Sequence, residues 1–112
     1  MASKSDNIDA LVADAGDDLL VLLTEHIRTI AYKSGWPANY ISNMKVSMTD
    51  DSTIYVDPNP DMQEDIDDLE YGNLNALPNA AIRPFILRAP DVIEQFIEEK
   101  ILPKLLVELG VL

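Results

Sequence analysis

A chain of 112 residues with 47% hydrophobic content suits one domain over residues 1–112 with a modest core, and is too apolar for a disordered acidic tail. Its net charge of −12, from 20 acidic and 8 basic residues, argues against a surface built to grip nucleic-acid phosphates. The absence of cysteine removes disulfides, thiolate metal ligands and a cysteine nucleophile, and no apolar run approaches the roughly 18 residues of a membrane span. The expectation is a soluble protein made in the cytoplasm, with no membrane partner.

The first predicted element is a helix over residues 6–33. Ile8, Leu11, Val12, Ala15, Leu19, Leu22, Leu23, Ile27 and Ile30 follow the three-and-four spacing of one helical stripe. Asp6 can cap it, Asp9, Asp14, Asp17 and Asp18 crowd its first half, and Arg28 and Lys33 sit late, as the helix dipole favours. Ser34-Gly35 supplies a stop. Gly16 is the weak point, costing about 1 kcal/mol against alanine. Unbroken, such a helix is a rod of about 42 Å that overhangs a compact body about 34 Å across and offers apolar surface to a partner. Broken at Gly16, its first turns pack separately. Both readings stand at this level.

Trp36-Pro37 ends the helical pattern, and the stretch to Ser42 reads as a loop or single turn docked on the core. Residues 44–48 and 53–57 alternate apolar and polar with period two around a Thr49-Asp50-Asp51-Ser52 turn, which predicts an antiparallel hairpin. Pro58 and Pro60 stop the second strand. Residues 61–69 fit a short acidic helix with Met62, Ile66 and Leu69 on one face; residues 69–71 read as extended, open to pairing as a third strand; residues 73–81 read as loop. Pro90 and Asp91 fit the first turn of a closing helix with Val92, Ile93, Phe96, Ile97, Ile101, Leu105 and Leu109 on its apolar stripe, kinked or restarted at Pro103 and ended by Gly110. The predicted fold class is α+β: a long N-terminal helix, a small antiparallel sheet and a C-terminal helix.

Nothing in the sequence has the pattern of an active site. Residues 50–70 hold nine acids (Asp50, Asp51, Asp57, Asp61, Glu64, Asp65, Asp67, Asp68, Glu70) and no base. Within them Asp57-x-Asn59-x-Asp61, with Asp68 at the twelfth position, echoes a calcium loop. Met62 stands where such a loop needs glycine, an Asp replaces the bidentate Glu, and two prolines stiffen it, so a solvated acidic loop or inter-subunit surface is the better reading. His26 has no nucleophile or metal-ligand set at suitable spacing and reads as a surface or core histidine. Neighbouring pairs such as Asp67 and Asp68, or Glu98 and Glu99, diverge by about 100° on a helix and serve as solvated faces rather than acid–base partners. Arg83 and Arg88 flank Pro84 and Phe85; they can meet a neighbouring subunit's acidic run or neutralise part of the same run within the chain.

Glu70-Tyr71-Gly72, followed after a short polar loop by Arg83-Pro84-Phe85 and a terminal helix, resembles a pattern in small neck or minor tail components of long-tailed bacteriophages. These are the tail completion or head-to-tail joining proteins. The long N-terminal helix, the Ser-Gly-x-x-x-x-x-Ile stretch at residues 34–41 and the hairpin fit the same order. The resemblance implies a non-enzymatic virion subunit without cofactor or metal. It implies assembly with itself into a ring, taken as hexameric, beside neck, tail terminator or tail tube proteins. Tyr71, Gly72, Pro84 and Phe85 would set the loop and its docking on the final helix, and Arg83 and Arg88 stay open between a subunit interface and a fold-setting pair within the chain. Asp57, Asp61, Glu64, Asp65, Asp67, Asp68 and Glu70 would form an acidic surface, and a like-charged wall keeps passing DNA from sticking. A small acidic partner-binding protein, secretion chaperone-like or a DNA mimic, is the alternative.

Overall fold

Thirty consecutive residues form the first helix. The computed structural model describes residues 4–51, 53–74 and 77–110, and α1 spans Lys4–Lys33. It runs unbroken through Gly16, where a Cβ would meet nothing within 4 Å, so Gly16 is neither a kink nor a close contact. The proposed Asp6 cap and the Ile8 contact fall on side chains outside the described ones. The helix ends as Ser34-Gly35 predicts: Gly35 takes φ +80°, its N–H donates to the Tyr32 carbonyl at 3.0 Å, and Trp36 N–H reaches back to the Ala31 carbonyl at 3.0 Å. This two-bond stop needs a left-handed residue, which glycine adopts without a Cβ penalty. It also drops Trp36 onto Ala31 in the core.

The stretch after Pro37 closes into a single short helix, α2 (Ala38–Asn43). Arg28 of α1 binds its last turn, donating from Nε to the Met44 carbonyl at 2.9 Å and from Nη2 to that of Ser42 at 3.1 Å. The hairpin follows as β1 (Lys45–Met48) and β2 (Ile54–Asp57), antiparallel, with Lys45 opposite Asp57 and Met48 opposite Ile54. Ser52 of its turn lies outside the described residues.

A 3-10 turn (Pro60–Met62) leads into α3 (Gln63–Tyr71). Ile66 is fully buried, and Met62 and Leu69 pack beside it, as the spacing predicts. Residues 69–71 are therefore the last turn of α3 and not a third strand. Two strands make the whole sheet among the described residues.

The closing helix also differs from expectation. It starts eight residues earlier, as α4 (Ile82–Phe96), and carries Pro90 in its interior. A widened π-type turn (Ile97–Ile101) joins it to α5 (Leu102–Glu108). Pro103 has no N–H to offer the Glu99 carbonyl one turn back, and the widened turn absorbs that missing bond. The chain is restarted there, as expected of Pro103.

The core gathers at one end. Leu23, Ile27, Ala31, Trp36, Met44, Val46, Ile66, Ala81 and Phe85 form one buried cluster. Beyond it α1 continues beside α4, the π turn and α5, making a two-helix arm. Extents of 61 × 23 × 22 Å and a radius of gyration of 17.5 Å, against about 13 Å for a compact chain of this size, record that shape.

Candidate functional site: the Glu70 node and the acidic helix

The residues of the two short motifs meet at one place. Glu70, at the end of α3, is 1% exposed. Its Oε1 accepts from the backbone N–H of Ala81 at 2.8 Å and of Ile82 at 2.6 Å, and its Oε2 accepts from that of Arg83 at 3.0 Å. Ala81 offers no side-chain cap to α4. A carboxylate from 11 residues upstream satisfies orphan donors of the helix start and sits at its positive end.

Arg83 completes the node. Its Nε donates to Glu70 Oε2 at 2.9 Å and its Nη2 to the Glu70 carbonyl at 2.5 Å. Its guanidinium lies 4.6 Å from the centre of the Tyr71 ring, a cation–π stack on a side chain that is otherwise exposed. Burial alone would push the Glu70 carboxyl up. The Arg83 guanidinium and the three backbone N–H donors outweigh it and hold the group below the usual carboxylate range.

Gly72 makes the approach possible. Its φ of 80° and ψ of 176° lie where only glycine is comfortable, and its N–H closes α3 on the Asp68 carbonyl at 2.8 Å. The chain then returns along α1. Asn79 donates from its backbone N–H to Leu69 at 2.7 Å and from Nδ2 to the Ser34 carbonyl. The Trp36 indole donates to the Asn79 carbonyl at 2.7 Å. Pro84 sits in the first turn of α4, where its missing N–H costs nothing, and Phe85 enters the core at 3% exposed.

Arg83 therefore meets the acidic run within its own chain, and Glu70 is removed from the acidic surface. Arg88 makes no ion pair among the described residues; it lines a cleft of about 260 Å³ with His26, Lys33 and Pro84. The His26 ring is tilted by 50° against that of Phe85, with ring centres 6.0 Å apart, and its buried Nε2 has no partner among the described residues.

The remaining acids lie where a solvated face would put them. Asp61, Glu64, Asp65 and Asp67 are exposed, and Asp57 and Asp68 half-buried. Tyr40 donates its hydroxyl to Asp65 at 3.1 Å, and this bond, with the Asp65 charge, raises the phenol above its ordinary value. Asn59 turns its side chain to accept from Asp61 N–H at 3.0 Å, capping the 3-10 turn instead of facing an ion. No group of three or more metal-binding side chains comes together among the described residues.

Sequence reasoning missed that Glu70 caps α4. The one available signal was a helix start without a local capping side chain, with a glutamate just upstream of a glycine turn. No protein-family model, curated protein or solved structure matches this chain.

Proposed function

We propose that this chain is a non-enzymatic structural subunit of a phage neck or tail top, assembling with copies of itself into a ring around the DNA passage and touching neighbouring neck or tail proteins. The observation that carries the reading is the two-helix arm. A pair of helices can bury only one stripe of each, and beyond the core Phe96 alone in the arm is buried among the described residues. Val12, Val21, Ile97, Leu102 and Val107 are all more than 40% exposed there. Such a projection gains most of its stability from a neighbour, which is the situation of a ring subunit. The exposed carboxylates of α3 suit a surface that repels DNA or receives a basic partner.

The short motifs support this reading only through the fold they build, since Glu70 and Arg83 do structural work. The decisive experiment is a reconstruction of phage particles produced with a tagged copy of the chain. Density for a ring of this fold between portal and tail tube is the expected result. Purified particles that lack the chain overturn it. The second reading, a free acidic partner-binding protein, is favoured by the same α3 carboxylates. A stable isolated dimer in solution, absent from particles, is its signature.

A further inference from the structure

The outer edge of β2 is open, and the backbone geometry says what would close it. Thr49 N–H donates to the Thr53 carbonyl at 2.9 Å, which makes 49 and 53 a hydrogen-bonded pair of the ladder. With the register Ser47 opposite Tyr55 and Lys45 opposite Asp57, the bonded pairs alternate, and the N–H and C=O groups of Ile54 and Val56 point away from β1. On the β1 side the same alternation is visible directly: outward-pointing Val46 N–H is taken by Thr24 Oγ1 of α1 at 2.9 Å. No described residue does this for Ile54 or Val56.

A groove of about 440 Å³ runs beside this edge. Three consecutive strand residues line it, so it is approached from the edge rather than from one face of the sheet. Its far wall is α4, through Ile82, Ile86, Ala89 and Ile93. We infer that this groove receives an extended segment of another protein, which adds as a third strand to β2 and sets alternate aliphatic side chains against α4.

Charge selects that partner. No basic residue lines the groove. On α4, Arg83 is turned to Glu70 and Arg88 to the His26 cleft. Beside Pro58, Lys45 is paired with Asp57 across the hairpin, on the side away from the open edge. The chain as a whole carries −12, which favours lysine or arginine at the flanks of the strand. A second copy, with its own charge of −12, is disfavoured.

The inference does not depend on the virion reading and is tested on the isolated full chain. The probe is a labelled peptide, Lys-Val-Thr-Val-Thr-Ile-Lys, followed by fluorescence anisotropy and by amide chemical shifts. Expected is a Kd on the order of 100 µM, as befits a short added strand. Shifts should centre on Ile54 and Val56. N-methylation of the amides facing β2, and Ile86→Glu on the exposed wall of α4, should each weaken binding at least about tenfold with unchanged thermal unfolding. Equal binding of the N-methylated peptide, shifts confined to the α3 carboxylates, no binding at millimolar peptide, or a concentration-dependent dimer paired through β2 would each overturn it.

Discussion

Glu70 is buried as an ion because every oxygen lone pair that burial strips of water finds a donor. Its removal leaves N–H groups at the start of α4 unsatisfied, whereas Arg83, with 48% of its side chain exposed, can be lost with water as replacement. Glu70→Ala is therefore expected to cost about 3 kcal/mol and Arg83→Ala about 1 kcal/mol in urea unfolding. Equal losses would remove the capping argument. The folded carboxyl is held below its ordinary value of 4.5. As pH falls through that ordinary value, the unfolded chain takes up a proton that the folded chain still refuses, so stability drains until the folded value is passed. Stability measured against Glu70→Gln should show a gap that is full at neutral pH and narrows below about pH 4.5.

At the scale of elements, α1 tolerates Gly16 without bending because the helix is held on both sides of it by its pairing with α4 and α5. The space around the position is open, so Gly16→Ala removes backbone freedom from the unfolded chain and adds no clash. It should stabilise by about 0.5–1 kcal/mol, read as a rise in melting temperature with unchanged helical content. A fall would mean that a neighbour occupies that space in solution. The start of α4 was hidden from local rules for a related reason. Pro90 looks like a first-turn residue, and only a cap delivered from α3 lets the helix begin earlier and carry the proline inside.

For the whole molecule, shape and charge pull in opposite directions. The apolar arm favours association, and a charge of −12 resists it. Salt screens the second and leaves the first, so sedimentation velocity should show self-association that grows with sodium chloride over a Debye length shrinking from about 10 Å at 0.1 M to about 3 Å at 1 M. Val12→Glu or Leu102→Glu, at positions 53% and 43% exposed, should abolish that association without changing the unfolding midpoint. Association that survives both changes would place the contact elsewhere.

The order of elements was legible in the residues themselves. A period of 3.6 wrote α1 and the end of the chain, a period of two wrote the hairpin, and Ser34-Gly35 marked a stop, because each signal acts over a few neighbouring residues. What only tertiary structure decided is the meaning of Glu70-Tyr71-Gly72 and Arg83-Pro84-Phe85. An extended reading of 69–71 and a late helix start were reasonable locally, yet a single buried carboxylate bonding across 11 to 13 residues turned the first segment into a helix end and the second into a helix beginning. Such a contact depends on where α1 holds both segments, and no local pattern encodes that distance.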